Sequence, residues 1–381
     1  MSFQNESTMA ASQNSPRKCD LSFLPKGAHI YFVGIGGISM SGLAEIATHL
    51  GFVVGGSDMH PSHRTAYLEK RSILVFSGHR KENIDSFLPD LIVHTAAILP
   101  GNPELLYAKE KGIPCVDRAQ FLGYLTAEFD RVINISGTHG KTTTTSMTAL
   151  ILIESGANPT VHLGAELDAF QGTVRMGKKH GLFVSEACEY QRSFLKFFST
   201  TAAITNIDYD HVDCFSNLSE VIDVFAEFTQ KISSDGTLVI PAFDPNVAEA
   251  VSRMPEYRNA VGLGMPTLLL TGMKDDIFPI TGKQADIFAD HLTYHDGYPE
   301  FDVYLAGDFY AHIALCIPGE HNVYNALTAI ACAHINGGTP EAAVKVLGSF
   351  TGAEGRYSIK GTYKGATVVA DYAHHPSAAR A

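Results

Sequence analysis

Residues 136–143, Ser-Gly-Thr-His-Gly-Lys-Thr-Thr, have the types and the order that phosphate binding requires. They follow an apolar run at 131–135 that predicts a buried strand, and they precede a helical apolar pattern at 144–155. Backbone N–H groups of such a turn point at phosphate oxygens, and the helix N-terminus adds favourable partial charge. Lys141 would reach the terminal phosphates, and the Thr142 hydroxyl would hold Mg²⁺. The two glycines stand closer together than in the general motif, so a plain glycine turn is the alternative.

Two acidic stretches that follow predicted strands could complete a metal site. Glu186 ends a short apolar run, and a carboxylate there could share Mg²⁺ with Thr142, because Mg²⁺ takes hard oxygen ligands. Residues 205–213 contain the pair Asp210-His211, which could hold a second metal or position a reacting carboxyl. The structural alternatives are a solvated strand end for Glu186 and a helix cap for His211.

A third polar stretch opens a predicted helix at 319–326. His321, Asn322 and Asn325 fall on its first turn, where they could face a base or a ribose. The alternative is that Asn322 only caps the helix.

A second glycine-rich turn, residues 34–42, joins a predicted strand to a predicted helix. Ser39 stands where the dinucleotide fingerprint has its third glycine, yet the turn still favours a bound phosphate or diphosphate. Asp58, at the end of the next strand, suits a ribose hydroxyl. A tight turn without a ligand is equally compatible with these residues.

The elements that must position these turns follow from the apolar pattern. Short apolar runs alternate with helical patterns, which implies parallel sheets with helices on their faces. We therefore predict the α/β class, with an N-terminal Rossmann-like parallel sheet domain, a central phosphate-loop α/β domain and only the start of a third α/β domain. The predicted ranges are 1–27 for a disordered extension, 28–128 and 129–352 for the two domains, and 353–381 for the third.

Composition excludes several classes of protein. With 381 residues and a net charge of −12, the chain lacks the basic stretch that nucleic-acid binding needs. No apolar run approaches the roughly 20 residues that a membrane span needs, and the polar N-terminus lacks the core of a secretory signal. Six scattered cysteines without a C-x-x-C pair indicate reduced thiols. We therefore expect a cytoplasmic protein without nucleic-acid or membrane partners.

Together these stretches resemble the Mur ligase family of peptidoglycan synthesis, from about residue 29 to the last residue. The short Gly-Thr-His-Gly-Lys-Thr loop is that family's own phosphate loop. The opening Gly-Ile-Gly-Gly and the later Tyr-Ala-His-His-Pro point to the alanine-adding member. The motifs lie, in chain order, at 34–42, 56–58 (Gly-Ser-Asp), 102–104 (Asn-Pro-Glu), 137–142, 210–211, 319–322 (Gly-Glu-His-Asn) and 371–376.

The resemblance implies an enzyme of cell-wall biosynthesis that uses ATP and Mg²⁺ to join L-alanine to the carboxylate of UDP-N-acetylmuramate. The carboxylate would take the γ-phosphoryl group, and the amine of alanine would then displace phosphate from the acyl phosphate. Two alternatives stay open: a recycling ligase that adds a tripeptide to the same sugar nucleotide, and a non-catalytic protein that binds UDP-sugar or ATP. The oligomeric state is left open.

The resemblance also implies site residues by position. It places the UDP-sugar in the domain 28–128, ATP in the domain 129–352, and the amino acid with part of the nucleotide in the third. Catalytic roles fall on Lys141, Glu186 and His211, and metal binding falls on Thr142, Glu186 and His211. The ATP-binding positions are Gly137, Thr138, His139, Gly140, Lys141, Thr142, Thr143, His321, Asn322, Asn325 and Arg356. The UDP-sugar positions are Gly34, Gly36, Gly37, Ser39, Asp58 and Thr95.

The chain departs from the family pattern in several places. Cys188 stands for an aspartate, Arg356 is a single arginine where the family has two, and Ala370 replaces the first aspartate of the last motif. A strand predicted at 367–370 has little sequence after it, so we expect an incomplete third domain. Water exclusion and domain closure would then fail, and turnover would be poor.

Overall fold

The structure is a computed structural model that describes residues 21–95 and 97–380. Residues 1–20 of the predicted N-terminal extension lie outside the described residues. The described residues group into two compact units. We call residues 21–130 with 158–183 the N-terminal unit, and residues 131–157 with 184–380 the central unit.

The strands and helices have the following bounds. The strands are β1 (His29–Val33), β2 (Val53–Asp58), β3 (Leu74–Ser77), β4 (Leu91–His94), β5 (Cys115–Asp117), β6 (Arg131–Ser136), β7 (Thr160–Leu167), β8 (Gly172–Arg175), β9 (Leu182–Glu186), β10 (Ser199–Ile204), β11 (Ile232–Pro241), β12 (Thr267–Met273), β13 (Ile287–His295), β14 (Tyr298–Leu305), β15 (Asp308–Ala314), β16 (Ser358–Tyr363) and β17 (Ala366–Ala370). The α-helices are α1 (Ile38–Leu50), α2 (His63–Lys70), α3 (Lys81–Phe87), α4 (Pro103–Lys111), α5 (Arg118–Ala127), α6 (Lys141–Glu154), α7 (Leu218–Phe228), α8 (Pro245–Ala260), α9 (Glu320–Ile335), α10 (Pro340–Leu347) and α11 (Pro376–Arg380).

The N-terminal unit is built on a five-stranded sheet in the order β3-β2-β1-β4-β5, and every pair in it is parallel. Apolar residues of β1 and β4 are fully buried, as expected for strands covered on both faces. The strand order reverses between β1 and β4, so the turn at Gly34 lies at the position where open α/β sheets bind ligands. The hairpin of β7 and β8 groups with this unit and contacts α1.

In the central unit, β15-β14-β13-β12-β11-β10-β6-β9 lie side by side in that order. The run from β6 through β10, β11 and β12 to β13 pairs in parallel, and β13, β14 and β15 continue it as antiparallel strands. The predicted α/β class is therefore confirmed.

A buried asparagine fixes the strands that carry the phosphate loop. Asn134 in β6 donates from Nδ2 to the Phe198 carbonyl at 2.7 Å and to Ser199 Oγ at 2.8 Å. Its Oδ1 accepts from Ser185 Oγ at 2.7 Å. An unpaired buried amide would cost about 1–3 kcal/mol, so these bonds hold β6, the start of β10 and the end of β9 in one arrangement.

Helix α6 begins with a run of threonines that disfavour helix by propensity. Tertiary burial compensates, since Thr144, Thr145 and Thr148 are almost fully buried and α6 packs against α9. Two hydroxyls bond back within the helix, from Thr145 to the Lys141 carbonyl and from Thr148 to the Thr144 carbonyl, both at 2.8 Å. The first turn of α6 therefore sits at a fixed place beside α9.

The last described residues form a two-stranded antiparallel sheet of β16 and β17, followed by α11. These residues group with the central unit. The domain boundaries predicted at 128 and 352 stay predictions. Within the described residues, no helix has both the length and the apolar character that crossing a bilayer demands.

Candidate active site

The phosphate loop between β6 and α6 needs glycine at both of its glycine positions. Gly137 has φ +133° and Gly140 has φ +81°, in the left-handed region that other residues avoid. A Cβ on Gly137 would lie 2.0 Å from Thr205 Oγ1, and one on Gly140 would lie 2.3 Å from Asn325 Oδ1. The loop therefore lies in close contact with the residue that follows β10 and with the second turn of α9.

The backbone of this loop is tied to the segment after β10. Thr138 N donates to the Asn206 carbonyl at 3.1 Å, and His139 N donates to Asn206 Oδ1 at 2.9 Å. Thr138 Oγ1 accepts from Asp208 N at 2.9 Å. Thr143 lies buried one residue into the helix beyond Thr142. The ATP-binding residues predicted between 137 and 143 therefore form one compact turn.

Lys141 is paired with a carboxylate that the sequence analysis did not assign to the site. Its Nζ donates to both oxygens of Glu189, at 3.0 and 3.1 Å, and also to the carbonyls of Gly137 and Thr138. The Glu189 side chain is 2% exposed and that of Lys141 is 15% exposed. Burial opposes the charge on Lys141, but Glu189 outweighs it and raises the pKa of the ammonium group.

Glu189 also faces His211. The His211 Nε2 lies 3.6 Å from Glu189 Oε1, and its ring packs against the ring of Tyr190. The contact with Glu189 raises the pKa of His211 despite partial burial. Burial would raise the pKa of Glu189, but the charge of Lys141 and the contact with His211 together lower it. Glu189 is therefore a buried carboxylate held between the ammonium of Lys141 and the ring of His211. Asn217, and not His211, caps the N-terminus of α7, so the alternative in which His211 is a helix cap is wrong.

Thr142 and Glu186 supply the oxygen pair that a magnesium site needs. Thr142 Oγ1 donates to Glu186 Oε2 at 3.1 Å. Adjacent ligands of an octahedral Mg²⁺ with bonds of 2.0–2.1 Å stand roughly 3 Å apart, so the two oxygens fit such an ion. His211 faces the carboxylate of Glu189. The three predicted metal ligands thus divide into an oxygen pair at Thr142 and a histidine beside Glu189.

Arg356 lies beside the same hydroxyl. Its Nη2 is 3.5 Å from Thr142 Oγ1, and its guanidinium stacks over the ring of Tyr372, 4.8 Å from the ring centre. The predicted ATP-binding arginine therefore reaches the phosphate loop from the segment before β16. A cation here adds to Lys141 in favouring a phosphate.

The polar residues at the start of α9 are engaged with one another and with the phosphate loop. Asn325 donates from Nδ2 to Asn322 Oδ1 at 2.9 Å, and its Oδ1 accepts from Thr144 Oγ1 at 3.2 Å. Asn322 donates from Nδ2 to the Pro318 carbonyl at 2.7 Å, and the N-cap of α9 is Gly319, so Asn322 is not the cap. Burial lowers the pKa of His321 and favours its neutral ring.

The N-terminal unit brings the predicted UDP-sugar residues together around the turn after β1. Asp58 Oδ2 accepts from Gly36 N at 2.8 Å, so the aspartate at the end of β2 holds the turn. A Cβ on Gly36 would lie 2.8 Å from that oxygen. Gly34 has φ +82°, and a Cβ on it would lie 3.2 Å from the Thr95 methyl group. Gly37 is the N-cap of α1, without a side-chain cap.

Ser39 belongs to a polar cluster in the same unit. Its Oγ lies 3.1 Å from His162 Nε2 and accepts from Arg118 Nη1 at 3.2 Å. Burial, together with the charge of Arg118, lowers the pKa of His162 to about 4, and its Nδ1 is buried without a hydrogen-bond partner. Sequence analysis missed Arg118 and His162, because no motif marks either residue.

Glu189 is the site residue for which a sequence signal did exist. It closes the stretch Ser-Glu-Ala-Cys-Glu at 185–189, three positions after Glu186. Two carboxylates after one strand could have been weighed as separate candidates. What the sequence does not display is the approach of Lys141, which lies 48 positions away along the chain.

Comparison with known proteins identifies two family models and a similar protein that match this chain. Residues 29–130 match the family model "Mur ligase family, catalytic domain", and residues 135–333 match "Mur ligase middle domain". A UDP-N-acetylmuramate–L-alanine ligase of Acetivibrio thermocellus is 41% identical over 93% of this chain and 72% of its own length.

Solved structures agree with this grouping. The UDP-N-acetylmuramate–alanine ligase of Thermotoga maritima superposes with a TM-score of 0.72 at 29% identity, covering 93% of this chain and 76% of its own. A murein peptide ligase of Psychrobacter arcticus gives a TM-score of 0.74 at 26% identity, covering 92% of this chain and 74% of its own. With two family models along most of its length and a relative at 41% identity, this chain belongs to the Mur ligase family.

Proposed function

We propose that this chain joins L-alanine to the carboxylate of UDP-N-acetylmuramate in cell-wall biosynthesis, at the expense of ATP. The observation that carries the proposal is the phosphate loop whose buried Lys141 faces Glu189, next to the oxygen pair of Thr142 and Glu186. The name of the relative at 41% identity supports this choice of substrates. Unpaired thiols at the five described cysteines support a cytoplasmic location.

The reaction must turn a carboxylate into an electrophile. In the first step a carboxylate oxygen attacks the γ-phosphorus, the bond to the β-bridging oxygen breaks, and ADP leaves. In the second step the amine attacks the acyl carbon, a C–N bond forms, and inorganic phosphate leaves with the electron pair of the C–O bond. The ammonium proton of alanine must be lost before this attack. The first step brings two anions together, so it needs cationic groups already in place.

Lys141 meets this need because its charge is held in position before the nucleotide arrives. Glu189 neutralises the ammonium in the free protein, and the phosphates of ATP would share or replace that counter-charge. Arg356 adds a second cation beside Thr142. Mg²⁺, which Thr142 and Glu186 would hold, supplies further screening of phosphate charge when it is bound. His211 faces Glu189 and would orient that carboxylate as the pairing changes.

The UDP-sugar would bind in the N-terminal unit at the turn after β1. Gly34, Gly36 and Gly37 leave the backbone open for a diphosphate at the start of α1. Asp58 holds this turn, and Thr95 and Ser39 line it from neighbouring elements. These assignments are part of the proposal.

The test is incorporation of isotope-labelled L-alanine into UDP-N-acetylmuramate, with ATP and Mg²⁺, by the protein as its gene encodes it. We expect labelled product and one phosphate released per alanine joined. Lys141→Ala should lower the rate by about 100-fold or more, because it removes the preorganised cation. Lys345→Ala, which breaks an exposed pair with Glu154, is the matched control and should leave the rate unchanged. A wild-type protein that forms no labelled product would refute the proposal.

A peptide-adding reaction is the second candidate, because the murein peptide ligase superposes as closely as the alanine ligase. The two are separated by presenting L-alanine and a tripeptide at equal concentration to one enzyme sample. We expect alanine to be consumed in preference, since the relative at 41% identity is an alanine ligase. Preferential consumption of the tripeptide would transfer the assignment to the peptide-adding reaction.

A further inference from the structure

Three ligating side chains from distant parts of the chain meet in the central unit. His139 lies in the phosphate loop, Asp208 follows β10, and His375 follows β17. Asp208 Oδ2 is 3.6 Å from His139 Nε2 and 3.5 Å from His375 Nδ1. The three ligand atoms all lie within 4.8 Å of one another. We name this group the His-Asp-His cluster.

These separations suit a tetrahedral transition-metal ion. Ligand atoms bound to Zn²⁺ at 2.0–2.1 Å stand about 3.3–3.5 Å apart, so two of the three separations need almost no change. Two imidazole nitrogens and one carboxylate oxygen are also the ligand types that such ions take. Three protein ligands leave a fourth position for water.

A hydrogen bond at its other ring nitrogen sets the tautomer of His375. Its Nε2 lies 3.1 Å from the Tyr209 carbonyl, which can only accept a hydrogen bond. Nε2 must therefore carry the proton, and in the neutral ring Nδ1 presents its lone pair toward Asp208. A histidine ligand held through its second nitrogen by a backbone carbonyl is the usual outer arrangement of protein metal sites.

The ring of His139 contains an unexplained polar atom at the same place. Its Nε2 is buried and has no hydrogen-bond partner, although such atoms are almost always satisfied. Asp208 is held on its other side, because Oδ1 accepts from Tyr209 N at 2.8 Å. Thus backbone groups orient Asp208 and His375, and the unsatisfied Nε2 of His139 lies 3.6 Å from the carboxylate that a metal would share.

We propose that His139, Asp208 and His375 bind a divalent transition-metal ion of the zinc class. This site is separate from the oxygen pair of Thr142 and Glu186, and it does not depend on the reaction proposed above. Because its ligands come from the phosphate loop, the segment after β10 and the segment after β17, a bound ion would cross-link these three segments. It would hold the phosphate loop at His139.

Metal titration of the purified, metal-stripped protein tests the proposal. Zn²⁺ is added in the presence of excess Mg²⁺, which occupies oxygen-rich sites, and Co²⁺ serves as a spectroscopic substitute. We expect one tightly bound Zn²⁺ per chain, a visible Co²⁺ absorption of the tetrahedral type, and a higher melting temperature with Zn²⁺. His375→Ala should weaken Zn²⁺ binding by at least tenfold and remove the tetrahedral absorption.

The neighbouring histidine provides the matched control. His374 has a 58% exposed side chain and faces Asp210 at 3.6 Å, whereas that of His375 is 17% exposed. His374→Ala removes the same ring one position away and should change Zn²⁺ affinity by less than threefold. Equal affinity in wild type and H375A, or an equal loss in H374A and H375A, overturns the proposal.

A measurement without mutation covers the case in which H375A does not fold. Anomalous diffraction at the zinc edge, on wild-type crystals grown with Zn²⁺, locates the ion directly. A peak bonded to His139 Nε2, Asp208 and His375 Nδ1 supports the proposal. A peak at another place, or none at the His-Asp-His cluster, overturns it.

Discussion

Glu189→Gln is the change that most directly tests the arrangement of the phosphate loop. Glutamine keeps the shape of the side chain and removes its charge. Both carboxylate oxygens of Glu189 accept from Lys141 Nζ, at 3.0 and 3.1 Å, and the side chain is 2% exposed. The substitution therefore leaves the ammonium buried without a counter-charge and turns an amide group toward it.

The magnitude follows from this burial. Removing one partner of a buried ion pair costs about 3–5 kcal/mol of stability. Lys141 keeps its hydrogen bonds to the carbonyls of Gly137 and Thr138, so we expect the lower end, about 3 kcal/mol. The loss of Glu189 also lowers the pKa of Lys141, because burial then acts against the ammonium without opposition.

The assay is urea unfolding followed by circular dichroism, with hydrogen exchange of peptides from α6 to locate the effect. Glu227→Gln is the matched control, since it removes a carboxylate from the partly exposed pair with Arg192 and should cost less than about 1 kcal/mol. ATP with Mg²⁺ should stabilise E189Q more than wild type, because its phosphates supply the missing charge. If E189Q and E227Q lose equal stability, or if ATP stabilises E189Q less than wild type, the reasoning is wrong.

Three further predictions concern the two glycine-rich turns and the buried histidine of the N-terminal unit. Gly137→Ala should weaken ATP binding at least tenfold in a calorimetric titration, because the new Cβ would lie 2.0 Å from a hydroxyl oxygen. Gly262→Ala is the control and should not weaken binding, since Gly262 also has a positive φ (+70°) but has open space around it. Equal ATP affinities in the two variants would contradict the predicted clash. In the folded protein the pKa of His162 is about 4, against an ordinary value near 6.5, so the folded state binds fewer protons than the unfolded state between these pH values. The contribution of His162 to stability is therefore complete above pH 6.5 and is lost as the pH falls toward 4. The free energy of unfolding should fall by about 3 kcal/mol over this range in acid unfolding curves, and this decrease should be absent in His162→Gln. An unchanged pH dependence in that variant would contradict the assignment to His162. Asp58→Ala removes the acceptor for the turn after β1 and should weaken binding of the UDP-sugar by about tenfold in a calorimetric titration, and full affinity in D58A would show that the turn does not need it.

Much of the fold could be predicted because its signals are local. The runs at β1, β4, β6 and β10 are short and apolar, and helical patterns separate them, so alternation and parallel pairing follow. The hairpin of β7 and β8 was not predicted, and it groups with the N-terminal unit although it follows the phosphate loop in sequence. The unit to which a hairpin belongs depends on the surfaces that pack together. The apolar pattern along the chain does not indicate which surfaces these are.

The candidate site also has parts that the sequence predicts and parts that it does not. The positions of Lys141 and Thr142 at the start of a helix follow from the order strand, glycine turn, helix, because each step is fixed by neighbouring residues. The sequence by itself therefore determined the phosphate loop, the α/β class and the family resemblance. Only the tertiary structure decided which carboxylate Lys141 meets, which face of the loop His375 reaches and which oxygen accompanies Thr142. The physical reason is that these contacts join residues far apart in the chain, and their geometry is set when strands and helices pack, not by the local preferences of either partner.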